Sequence, residues 1–178
     1  MRHIQVLNSF LFALFISMLF SCGPSVVNPV KNSRDSIGET MIRVNKYLVD
    51  QDSMLIEKYA QRRNISLKIS ENGLFYSITK SSNSKKAATG SLVTIDFRLE
   101  LLDGTYCNSS DSTGVKEFTI GERKEAVGLE EGVSLLGEGD EAILIIPPHL
   151  AFGLTGDGDR IPPRAVLVYT IRVLKISK

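Results

Sequence analysis

The sequence predicts an α+β domain: an antiparallel sheet closing half around one short helix, preceded by an N-terminal helical segment. Three observations carry this. Apolar residues alternate with polar ones in several runs between residues 66 and 178; only one stretch there, Leu129 to Leu136, has helical spacing; and the other helical spacings all lie before residue 65.

The elements follow in chain order. Residues 1–21 hold Arg2 and His3, then an eleven-residue apolar stretch from Phe10 to Phe20 in which only Ser17 is polar. A transmembrane helix needs roughly 20 apolar residues to cross about 30 Å of hydrocarbon, so this stretch reads as a cleaved secretion signal. Leu19-Phe20-Ser21-Cys22-Gly23 looks like a bacterial lipobox, in which the cysteine is lipidated and becomes the first residue. Cys22 is therefore the expected acylation site, palmitate-type chains being the anchor to the membrane. Residues 22–35, rich in Gly, Pro, Ser and Asn, read as a tether.

Removing residues 1–21 takes away Arg2 and leaves 157 residues with 20 Lys+Arg against 20 Asp+Glu. Such a balance offers no basic excess to attract nucleic acid or anionic lipid. With Cys22 lipidated, Cys107 is the remaining thiol and His149 the remaining histidine, which starves metal sites and Cys–His nucleophiles of partners. No cofactor and no metal are expected.

Residues 36–65 read as helical. Ser36-Ile37-Gly38-Glu39 offers a capping box, and Ile37, Met41, Val44 and Leu48 form one stripe. Leu55, Ile56 and Tyr59 belong to a second stretch, with Asp50-Gln51-Asp52-Ser53 as a break or cap between the two. A helical hairpin and one interrupted helix are both allowed. The stripe docks on the domain, pairs with a second copy, or does both.

Residues 66–178 are the sheet domain. Leu67 and Ile69, a turn at Glu71-Asn72-Gly73, then Leu74, Tyr76 and Ile78 suggest a hairpin. Val93, Ile95, Phe97, Leu99 and Leu101 alternate with Thr94, Asp96, Arg98 and Glu100 in the clearest strand, which turns at Asp103-Gly104. Phe118 and Ile120 suggest another strand. Leu129, Val133 and Leu136 share one helix face, ended by Gly137-Glu138-Gly139-Asp140. Ala142 to Ile146 is a short buried strand, a Pro- and Gly-rich connection runs from Pro147 to Arg164, and Leu167, Tyr169, Ile171 and Val173 alternate in the last strand. The chain holds no Gly-rich phosphate loop, nucleophile elbow or H-E-x-x-H motif.

An ordered series of short motifs runs through this part. Asn72-Gly73-Leu74, Gly90, Asp103-Gly104 and Ser109-Ser110 come first; Gly128-Leu129-Glu130-Glu131-Gly132-Val133, Ala151-Phe152-Gly153, Ile161-Pro162-Pro163 and Leu167-Val168-Tyr169 follow. From about Asn72 to the end, the series resembles the FKBP-type peptidyl-prolyl cis-trans isomerases. The resemblance implies the FKBP-like fold, a half-open sheet wrapped around a short helix, and isomerisation of X–Pro bonds without covalent chemistry. The N-terminal part is similar to that of Bacteroidetes lipoprotein members, some of them tied to gliding motility.

Carried over by position, the resemblance places Leu129 on the cleft floor, where the family usually has tryptophan. Phe97 and Tyr169 become aromatic walls, Ile161 the rim, the Ala126 N–H a donor to the substrate carbonyl, and Phe152 stands for the usual loop tyrosine. Asn108 replaces an aspartate near the twisting carbonyl. Cys107 replaces an aromatic wall, Lys116 lies near another lost wall position, and Glu125 stands where a small apolar residue packs. The implied function is folding assistance to secreted or membrane-associated proline-containing clients, from the outer membrane and facing the periplasm. Two alternatives are a catalytically weak or inactive peptide-binding or assembly module and a structural lipoprotein of an envelope machine. A homodimer through the helical segment is compatible with each.

Overall fold

The computed structural model describes residues 33–177. The signal at 1–21, Cys22 and the start of the tether lie outside the described residues. Helix α1 spans Ser33–Arg63 without interruption, so its backbone starts before the proposed capping box and runs through the proposed break at 50–53. The chain divides into units of residues 1–42 and 43–178. In the first, Ile37, Met41 and Ile42 are exposed.

In the second unit the helix buries Asp52, Ile56, Tyr59 and Ala60, residues spaced four, three and one apart, and leaves Val44 exposed. Within this unit Leu48, the last residue of the expected stripe, is half-buried, and the fully buried face of α1 begins at Asp52. No helix among the described residues is long and apolar enough to cross a membrane.

Seven strands follow: β1 Lys68–Ile69, β2 Phe75–Lys80, β3 Leu92–Leu101, β4 Tyr106–Ser109, β5 Lys116–Thr119, β6 Glu141–Ile146 and β7 Leu167–Ser177. All pairings are antiparallel, in the order β1-β2-β6-β7-β3-β4, with β5 also on β3. One edge of β3 is thus shared. Its first half, Leu92 to Ile95, pairs with β5, and its second half, Arg98 to Glu100, pairs with β4. Between those partners lies a single-turn helix, α2, Ser110–Thr113. Strand β4 and helix α2 have no counterpart in the sequence expectations, because Tyr106 to Thr113 has neither period nor apolar run.

Period-2 side-chain placement gives the sheet two covered faces. On one face Val93, Ile95, Phe97 and Leu99 meet Leu144, Ile146, Leu167, Tyr169 and Ile171, together with Leu129 and Val133 of helix α3, Val127–Ser134, and with Leu136, which lies beyond the helix end rather than on its face as expected. The helix comes close to β6 because Gly128 and Gly132 carry no Cβ; one added there would collide with the side chains of Ile146 and Leu144. On the opposite face Phe75, Ile145, Val166 and Val168 pack with Ile56 and Tyr59 of α1. This cover explains a departure in β2: Phe75 is buried and Ile78 exposed, whereas alternation alone had paired Leu74, Tyr76 and Ile78.

Candidate functional site

A cavity of about 430 Å³ opens where β3, β4 and β7 meet the connection between β6 and β7. Phe97, Leu99, Cys107, Phe152, Ile161 and Tyr169 form its apolar lining, with Asn108 beside them. The inward phase of β3 delivers Phe97, and that of β7 delivers Tyr169, which sits opposite Leu99 in register. The two rings stand 6.1 Å apart at 41°, a tilted aromatic pair. The hydroxyl oxygen of Ser110 accepts the Phe97 N–H at 2.9 Å, fixing β3 where the edge passes between partners.

Of the seven carried-over residues, Phe97, Asn108, Phe152, Ile161 and Tyr169 line this cavity. Leu129 does not. It is fully buried in the hydrophobic core that Phe97, Leu99, Ile161 and Tyr169 share. Ala126 is the N-cap of α3 and half-buried; its carbonyl accepts from Leu129 and Glu130. Among the described residues, no protein acceptor takes the Ala126 N–H.

Charged side chains also line the cavity: Lys116, Glu125, Asp157, Asp159 and Arg160. Lys116 Nζ meets Glu125 Oε1 at 2.8 Å, with the side chains 26% and 23% exposed, and the same ammonium lies 5.5 Å from the Phe97 ring centroid. Two positions judged separately as lost apolar walls therefore form one ion pair. Each is half of a charged wall, and the clue in the sequence was the opposite sign of the two departures. Glu130 Oε2 accepts from Gly121 N at 2.8 Å, holding the turn that leads to Glu125.

Along the connecting loop, the Asp157 carboxylate accepts from the N–H groups of Ile161 and Asp159, at 2.8 and 2.9 Å. These bonds hold its carboxyl below the ordinary aspartate range. Arg160 donates to the Cys107 carbonyl at 2.9 Å. The sequence reading marked Ser110 only as part of a motif and did not mark Asp157 or Arg160, since the partners of all three are set by the tertiary fold.

Burial pushes the Tyr169 phenol above its ordinary value, with the charge of Glu125 and the thiol of Cys107 adding to the rise. The Cys107 thiol is pushed up by burial first, then by Asp157 and Asp103, with Arg160 opposing. Asn108 Oδ1 accepts from Ser109 N at 2.8 Å and Thr113 Oγ1 at 3.4 Å. Among the described residues, no group of three or more His, Cys, Asp or Glu could hold a metal ion.

Residues 83–174 match the family model for FKBP-type peptidyl-prolyl cis-trans isomerase, just over half of the chain. The chain is 31% identical over 164 residues to the probable FKBP-type peptidyl-prolyl cis-trans isomerase FkpA of Neisseria meningitidis serogroup B; the match covers 83% of this chain and 59% of that protein. It thus spans less than two thirds of that relative's length. The crystal structure of FkpA from Escherichia coli has the same fold, with a TM-score of 0.60 at 22% identity over 81% of this chain and 71% of the other. That of AtFKBP13 gives 0.59 at 26% identity, over 63% of this chain and 99% of the other.

Proposed function

The chain belongs to the family of FKBP-type peptidyl-prolyl cis-trans isomerases, and on that premise we propose that it accelerates rotation about X–Pro bonds in proteins of the cell envelope. The observation that carries the reading is the apolar wall that Phe97, Phe152, Ile161 and Tyr169 give to one cavity. Rotation about a peptide bond meets a barrier of about 18–20 kcal/mol, and the uncatalysed X–Pro step takes tens to hundreds of seconds. No bond is made or broken, so no nucleophile is needed.

The prolyl ring enters between Phe97 and Tyr169, with Ile161 at the rim. Held there, the preceding carbonyl twists out of conjugation against the apolar wall. The Ala126 N–H, which no group among the described residues takes, is the donor for the substrate carbonyl that precedes the dipeptide. Asn108 sits beside the twisting bond; its oxygen is held by Ser109 and Thr113, so the amide offers N–H to substrate. Tyr169 stays an uncharged wall, since its phenol is held above the ordinary value. Phe152 supplies apolar surface and lacks the hydroxyl of the tyrosine it replaces. Acceleration comes only from contacts that favour the twisted state over both planar ones.

The chain is further proposed to be a lipoprotein like those of the Bacteroidetes, anchored through Cys22 in the outer membrane and facing the periplasm. The lipobox-like Leu19–Cys22 run supports this, and loss of palmitate-analogue labelling in Cys22→Ser tests it. A homodimer through α1 is supported by the exposed Ile37, Met41 and Val44, and sedimentation of the lipid-free chain tests it.

The isomerase reading is tested by cis-to-trans rates on peptides varied before proline. Acceleration at micromolar protein is expected. Binding of unfolded clients without acceleration would favour the weaker reading, a noncatalytic peptide-binding module, to which the charged Lys116–Glu125 wall already lends weight.

A further inference from the structure

The rim residue Ile161 is tied to helix α1 through Arg164. Pro162 to Ala165 form a turn closed by Ala165 N to Pro162 O at 3.3 Å, with Pro163 second and Arg164 third. Arg164 has φ 59°, in the left-handed region that the third position of such a turn reserves for glycine. Something must hold an arginine there. Its N–H donates to Gly153 O at 2.9 Å, and its Nη2 reaches both carboxylate oxygens of Asp52, at 2.8 and 3.1 Å.

Asp52 is 7% exposed and lies one turn before Ile56 on the packed face of α1. Between Arg164 and Ile161 stand two prolines, each with φ locked near −65°. The segment therefore moves as a stiff unit, and a shift at Arg164 displaces Ile161. At the other end, Gly156 closes on the backbone of Ile161 and Pro162 so tightly that a Cβ would collide with both.

We propose that Asp52 is a positioning residue for the peptide cleft: through Arg164 it holds the left-handed turn that sets Ile161 against the cavity, making α1 part of the binding machinery. This rests on the isomerase reading for its functional consequence, and on the turn geometry alone for the tie itself. Released from Asp52, the turn relaxes and the rim keeps its shape in a fraction of molecules only. If that fraction is about one in ten, apparent affinity falls about tenfold.

The experiment pairs kinetics with amide exchange on Asp52→Ala, in the wild-type chain and in the Arg164→Gly background. Expected in the first is a KM for a proline tetrapeptide raised about tenfold, with kcat within about twofold, and faster exchange of the Arg164 amide. In the second, where glycine takes the positive φ unaided, Asp52→Ala adds nothing further. An equal rise in KM in both backgrounds, or an unchanged KM despite faster exchange, overturns the proposal; so does unchanged exchange. Asp52→Asn, which keeps one oxygen acceptor for Nη2, replaces Asp52→Ala if that variant does not fold. An inactive wild-type chain would defeat the isomerase reading, while the exchange comparison would still decide the tie.

Discussion

If the chain isomerises X–Pro bonds as proposed, removing the charged wall of the cleft is expected to make it faster. Lys116 and Glu125 are about a quarter exposed and 2.8 Å apart, so they keep part of their hydration and attract each other only moderately. A prolyl ring entering beside them displaces that water and gives the charges nothing in return. The double variant Lys116→Met/Glu125→Leu replaces the pair with apolar surface of similar length. If the ring gains roughly 50 Å² of apolar contact at about 25 cal/mol/Å², the gain is about 1.2 kcal/mol, or about eightfold in kcat/KM.

Glu125→Leu alone behaves differently. It leaves the Lys116 ammonium 5.5 Å from the Phe97 ring with no counter-charge, and kcat/KM stays at or below wild type. A partly screened pair of this kind is worth about 1 kcal/mol at most, so both variants fold. Cis-to-trans rates on one X–Pro peptide, read at low and high salt, give the comparison. A double variant no faster than wild type, with its fold intact, would refute the idea that the charges burden the cleft.

Three further outcomes follow from the same geometry. Leu129→Ala opens a void in a fully buried layer and lowers the unfolding free energy in urea by about 2–5 kcal/mol; a loss under about 1 kcal/mol would mean that the core collapses around it. Burial raises Asp140, but the N–H groups of Ser82 and Gly137 and the Ser82 hydroxyl prevail and hold it below its ordinary value. Its stabilisation is therefore complete above about pH 3.9 and is lost as pH falls through the lower native value; Asp140→Asn costs about 1–3 kcal/mol at neutral pH, and the gap to wild type narrows in acid. Cys107, 2% exposed and with its thiol pushed up by burial, reacts with a thiol reagent at pH 8 at least about tenfold more slowly folded than in urea, and stability declines as pH rises through the thiol range.

Much of the fold was legible because burial is written in periods. The alternation of Val93 to Leu101 marked the central strand, and Leu129, Val133 and Leu136 marked α3, since one side of each element is covered and the other is not. Legibility failed where cover comes from far along the chain. Phe75 is buried by α1, and Leu74, Tyr76 and Ile78 alone could not show that the neighbouring face of β2 is covered as well. Phe97, Phe152, Ile161 and Tyr169 could be placed at the cleft by motif, but their setting could not. The Asp52–Arg164 pair joins residues 112 apart, and neither side chain announces a partner on its own.

The division of the β3 edge between two short strands bears on how the molecule survives its clients. Strands β4 and β5 are four residues each, with α2 between them, and at the opposite border β1 is two residues long, beyond which the open stretch of β2 from Ser77 to Lys80 is irregular and ends in lysine. A long bare border would recruit extended chains by backbone pairing and grow into aggregates. Here an unfolded polypeptide finds no such template. On the proposed function it is received side chain first, at a proline that cannot donate to a ladder, so the sheet can work among sticky chains without becoming one more strand in their tangle.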